Sequence, residues 1–169
     1  MLDNPKQIHE THKHNGLLLL TAMLCILSVA VMTYTLTRPR VEFVPPPFED
    51  AAVDGTPQDV PEALGYGTLD ATAYRLALCG APEVQDGAAR LYLTNPRENG
   101  VWLKVRVCAA DGTLLGESGL LRTGQYLETV PLDPVPAASG PVTLKVMAYE
   151  PGTYQSAGAV TLNVTLRVP

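Results

Sequence analysis

At 169 residues the chain has room for one domain of about 100 residues plus appendages. Charged residues make up 17% and hydrophobic residues 46%, and the net charge of −5 argues against nucleic acid as the main partner. The apolar excess gathers near the N-terminus. The acidic excess lies between residues 38 and 63, where Arg38 and Arg40 face Glu42, Glu49, Asp50, Asp54, Asp59 and Glu62.

Residues 1–15 read as a short polar tail. It holds all three histidines of the chain, His9, His12 and His14, in the run HETHKH. A zinc-binding helix needs His-Glu-x-x-His, because a spacing of four puts both imidazoles on one face. Here the spacing is one residue too short, and His12 and His14 point apart on a helix. The run reads as a solvated cytoplasmic tail, and no metal or cofactor is expected.

From Gly16 to Thr37 the run GLLLLTAMLCILSVAVMTYTLT carries no charge over 22 residues. A helix of that length reaches about 33 Å, enough to cross a hydrocarbon core of about 30 Å. Tyr34 suits the far interface, and Arg38-Pro39-Arg40 follows the span. A cleaved signal peptide is the alternative, with Ser28 and Ala30 as the small residues before the cut. The apolar run continues past Ala30 through Val31 and Met32, and its length favours an uncleaved anchor. Cys25 reads as a small apolar residue of the span. Lys6 and Lys13 before the span balance Arg38 and Arg40 after it. Orientation therefore rests on the long β-patterned segment that follows, which favours an N-terminus inside and a C-terminal domain outside the cytoplasm.

Residues 38–70 read as an acidic, proline-rich stalk. Pro45-Pro46-Pro47 favours polyproline II, Pro57 and Pro61 interrupt any helix, and the carboxylates keep the segment solvated. Phe43 and Phe48 are free to dock on the domain or the bilayer.

From about Ala71 the apolar period becomes two. YRLALC puts Tyr74, Leu76 and Leu78 on one face. ARLYLT puts Leu91 and Leu93 inward and Arg90, Tyr92 and Thr94 outward. VWLKVRVC puts Val101, Leu103, Val105 and Val107 inward, and VTLKVMAY does so for Val142, Leu144, Val146 and Ala148. VTLNVTLRV alternates throughout, with Val160, Leu162, Val164, Leu166 and Val168 inward. Weaker strands fall near 113–116 and 126–132. Asn95-Pro96, Asn99-Gly100, Asp111-Gly112, Ala137–Pro141 and Pro151-Gly152 mark turns between them. About seven half-buried strands over residues 71–169 predict an all-β fold, an antiparallel β-sandwich.

The stretch LRTGQYLETVPLDPVPAASGPVTLKVMAYEPGTY resembles the second half of a bacterial immunoglobulin- or fibronectin-III-like domain. A Gly-containing turn leads into an extended strand, then a Gly/Pro loop, then an alternating strand. The resemblance covers roughly residues 72–168, implies an immunoglobulin-like sandwich, and brings no functional residues with it. The antibody hallmark is missing, because Trp102 is out of phase with the core residues of its strand and the cysteines are not at the intersheet positions.

No histidine follows residue 14, which removes Ser-His-Asp, Cys-His and histidine-metal chemistry from the domain. Glu117, Glu128 and Glu150 read as solvated charges, so no enzyme is expected. Cys79 and Cys108 end the first and third strands of the pattern, and both fall at the same end of a sandwich. A disulfide and two free thiols are both open readings. Tyr92, Trp102, Met147 and Tyr149 fall on the outward phase. With Lys104, Arg106 and Lys145 they make a candidate partner face, the alternative being packing under a loop or the linker. The sum is a membrane-anchored, non-catalytic extracytoplasmic module. It would hold another envelope or surface protein, as in a secretion or surface assembly, or bind cell-wall glycan through stacked aromatics.

Overall fold

The computed structural model describes residues 5–37 and 43–169, with side chains from Leu18 to Thr37 and from Phe43 onward. The charges read as flanking the span (Lys6, Lys13, Arg38 and Arg40) and the side chains of His9, His12 and His14 lie outside the described residues. The chain divides into two compact units, one ending at Val44 and one spanning Pro45–Pro169.

In the first unit a single helix, α1, runs from Pro5 to Thr37. Its Leu18–Thr37 portion, 20 residues, is long and apolar enough to cross a membrane. Leu18, Leu19, Met23, Ile26, Leu27 and Val31 are all exposed, so apolar side chains occupy every face. A helix apolar all round is made for a protein core or for lipid. The hydroxyls within it turn back on their own helix. Thr21 donates to the Leu18 carbonyl, Ser28 to Cys25, Thr33 to Val29, Thr35 to Met32 and Thr37 to Thr33, at 2.8–2.9 Å. Each then projects no unsatisfied donor into apolar surroundings.

The second unit contains ten strands: β1 (Val53–Asp54), β2 (Tyr66–Asp70), β3 (Arg75–Cys79), β4 (Glu83–Gln85), β5 (Ala88–Asn95), β6 (Trp102–Ala109), β7 (Leu114–Glu117), β8 (Gln125–Pro131), β9 (Gly140–Tyr149) and β10 (Ser156–Leu166). They form two antiparallel sheets. The first has the order β1-β8-β5-β3-β2, with β4 paired to β5, and the second has the order β10-β9-β6-β7. Leu76, Leu78, Leu91, Leu93, Leu127 and Val130 of the first sheet share one core with Leu103, Val105, Val107, Leu144, Val146 and Ala148 of the second. The alternation read from the sequence therefore sets which face of β3, β5, β6 and β9 turns to this core, although the opposite face of β3 and β5 is covered as well. On β10 the phase is the same, but Val160, Leu162 and Val164 are only partly covered.

Three strands lie outside the expected set, and each has a local reason. The β4–β5 hairpin turns on Asp86-Gly87, both at positive φ (51° and 78°), the two-residue turn that matches strand twist. Its first strand has three residues, too few to show a period. The other two correct the stalk reading, because Pro45–Asp70 belongs to the β unit. Val53 and Asp54 pair with Tyr126 and Gln125. A 3-10 turn at Glu62–Leu64 leads through Gly65, in the left-handed region, into β2, which pairs along β3 from Tyr66↔Cys79 to Asp70↔Arg75. Leu64 is fully buried. One aliphatic side chain in a Pro- and Asp-rich run carries no periodicity, yet it anchors that run to the first sheet.

Candidate functional site

The second sheet brings most of the expected face together. Pairing of β6 with β9 sets Trp102 opposite Tyr149, Lys104 opposite Met147 and Arg106 opposite Lys145. Across the remaining ladders Arg106 faces Glu117 and Lys145 faces Thr161. All are on the phase opposite the core. The charged residues of these four strands are Lys104, Arg106, Lys145 and Glu117.

Glu117 divides its carboxylate between two cations. Lys104 Nζ lies 3.0 Å from Oε1 and Arg106 Nε lies 2.8 Å from Oε2. Burial pushes the Glu117 carboxyl up, but the hydrogen bonds and charges of Lys104 and Arg106 outweigh it and hold it below the usual range. The same hydrogen bond raises Arg106. Lys104 is only 7% exposed, its stem covered by the sheet face. Lys145 is exposed. The Tyr149 hydroxyl lies 3.7 Å from Met147 Sδ.

Trp102 is boxed at one end of this face. The Phe48 ring meets it edge-on at 4.8 Å and 77°, and Tyr154 tilts against it at 5.3 Å and 59°. The Arg122 guanidinium lies 3.8 Å over Phe48. Phe48 is held by its backbone neighbours: Leu120 N–H donates to Pro47 O at 2.9 Å, and Glu49 N–H to Leu120 O at 3.0 Å. Glu49 Oε2 accepts from Gly119 N–H at 2.6 Å. A Cβ at Gly119 would come within 2.7 Å of Glu49 N, so this close approach needs glycine. The sequence placed Trp102 in the face but could not show Phe48 covering it. Docking of Phe48 on the domain was one of two readings left open.

Tyr92 does not join the face. It sits on β5 in the first sheet, 6% exposed, beneath Leu64 and beside Cys79, with Val60 and Tyr66 packed around. A bulge between Arg90 and Leu93 puts Tyr92 at φ 48°, a costly conformation for a bulky side chain. Its hydroxyl accepts from Arg90 and donates to Glu128 Oε1 at 2.8 Å, while Arg90 also binds Glu83 at 3.0 Å. Outward phase was right for Tyr92 and exposure was not, because residues 60–66 fold over that surface.

The cysteines are free. Cys79 lies in the cluster outside the first sheet, and Cys108 lies on the outer side of the second, opposite Thr143. Both sheets stand between them. Sheets pack about 10 Å apart, beyond the 7 Å limit for a bridge, so same-end placement did not suffice. Burial pushes the Cys79 thiol up to about 11.

Among the described residues no group of three or more His, Cys, Asp or Glu is placed to hold a metal. A cavity of about 290 Å³ opens between β2, β3 and residues 94–98, lined by Tyr66, Thr68, Arg75, Thr94, Arg97 and Glu98 among others.

These observations define a β-rich chain with two antiparallel sheets and one N-terminal apolar helix. Comparison with known protein families, curated proteins and solved structures finds no match for it.

Proposed function

We propose that this is a single-pass membrane protein, with its N-terminus in the cytoplasm and its β unit outside, that acts without catalysis. The β unit holds or recognises another envelope or surface protein. Strand order supports an immunoglobulin- or fibronectin-III-like assignment. With β3, β5 and β8 as strands A, B and E, and β6, β7, β9 and β10 as C, C′, F and G, the order is A-B-E against C′-C-F-G.

The observation that carries the reading is the outer face of the second sheet. Three cations there are answered by one carboxylate, beside Met147, Tyr149 and the Trp102 cluster. Such a face suits a partner surface that offers apolar groups and carboxylates. The aromatic rings stand edge-on and tilted to one another, which favours a protein partner over a flat glycan platform. Lys145→Glu reverses the charge of an exposed side chain on this face. After crosslinking in native membranes, a protein captured by wild type and lost in Lys145→Glu is the expected result. Equal recovery removes the face from the interaction. Capture of wall glycan alone transfers the function to carbohydrate binding.

A further inference from the structure

Five strands lie at sheet edges, and four are defended against pairing with another chain. β1 has two residues, β2 ends on Asp70 in an ion pair with Arg75, β4 has three residues with Val84 N–H already bonded to Arg167 O, and β7 ends on Glu117. The fifth, β10, is different. Its 11 residues, SAGAVTLNVTL, contain no charge and no proline. From Gly158 to Leu166 it pairs with β9 without a register shift, so the edge is regular over that length.

The hydrogen bonds beyond its end show which groups are free. Val168 N–H and C=O both bond to the Ser139 hydroxyl, on the β9 side. Arg167 turns the other way, its N–H to Pro82 O at 2.9 Å and its C=O to Val84 N–H at 2.8 Å. By the two-residue period Thr161, Asn163 and Thr165 direct their backbone groups as Arg167 does, away from β9. Among the described residues no strand pairs with them there. Beside this edge runs an open groove between β2 and β10, lined by Leu69, Leu78, Leu162 and Val164 among others. The inward residues of β10 are covered on one side only.

We propose that β10 pairs antiparallel with β10 of a second copy of this chain, joining the two second sheets into one eight-stranded sheet. A two-fold axis at Leu162 sets Val160 against Val164 and Leu162 against its own copy, covering the half-buried apolar row. On the outer face it sets Thr161 against Asn163, a hydroxyl against an amide. An isologous contact brings each residue near its own kind, so a charged edge would repel itself, and β10 carries no charge to do so. This proposal does not rest on the partner face, which lies on the flat of the sheet rather than its edge.

Sedimentation of the full chain in detergent tests it. Wild type is expected at twice the protein mass of Thr161→Lys/Asn163→Lys, which sets like charges opposite one another across the axis. Asn163→Pro removes an edge N–H that β9 does not use, and is expected to halve the mass as well. Circular dichroism melts check that each variant is folded, and if one fails to fold the other decides. A monomeric wild type overturns the proposal, and so does a folded variant of either kind that stays dimeric.

Discussion

Glu117 shows how one side chain on an open face sets the cost of its neighbours. Lys104 is covered, and its ammonium is neutralised by a carboxylate that is itself partly exposed. Glu117→Gln leaves that cation unpaired, and thermal melts at pH 7 should show a loss of about 1–2 kcal/mol, discounted for exposure. The pH dependence has a defined sign. A carboxyl held below its unfolded value adds stability above the ordinary carboxylate range, and the contribution is lost as pH falls through the folded value. The gap between wild type and Glu117→Gln should therefore narrow on acidification below about pH 4, as both side chains become neutral. At the same scale, the raised Cys79 thiol and the half-exposed Cys108 should separate in alkylation. Mass spectrometry of the folded protein is expected to find Cys108 modified first and Cys79 protected until unfolding.

Gly119 and Phe48 act at the level of the element. The chain just before β1 lies against residues 119–120 because glycine permits the approach. Gly119→Ala would place a methyl group against the Glu49 backbone, undock residues 47–49 and lift Phe48 from Trp102. The expected cost is about 1–3 kcal/mol. Trp102 is the sole tryptophan, so its fluorescence should shift to the red in the same variant. An unshifted spectrum would mean that Phe48 does not shield the ring. The five alternating strands were legible because each repeats its apolar residues on one phase, from two in β5 to five along residues 160–168, and so turns one face to a single core. The β4 strand was not, although Asp86-Gly87 is a turn signal that could have marked its hairpin.

For the whole molecule, the extent of the β unit is the main revision. Residues 45–70 supply two strands, the Leu64 anchor and the roof over Tyr92 and Cys79. A chain beginning at Ala71 would expose that cluster and leave β3 as an edge. Compared with a chain beginning at Pro45, it is expected to melt at a lower temperature or fail to fold, as read by circular dichroism and proteolysis. Equal melting would return residues 45–70 to the role of a stalk. For the anchor proposal, the full chain should stay with membranes after alkaline carbonate washing, and loss of Leu18–Thr37 should release it.

Sequence by itself determined what depends on local pattern. The uncharged run of residues 16–37 determined an apolar helix long enough to span a bilayer, because length and composition suffice for that. Two-residue alternation determined which faces of β3, β5, β6 and β9 turn to the core between the sheets, because a strand has only two faces. Tertiary structure alone decided the rest. Which surfaces are covered depends on segments distant in sequence, as when Phe48 meets Trp102 and Leu64 roofs Tyr92. Whether Cys79 and Cys108 can meet depends on which sheet each strand joins, and alternation says inward or outward without saying of which sheet. Strand pairing is non-local, so the one undefended edge, β10, came into view only when the order of both sheets was known.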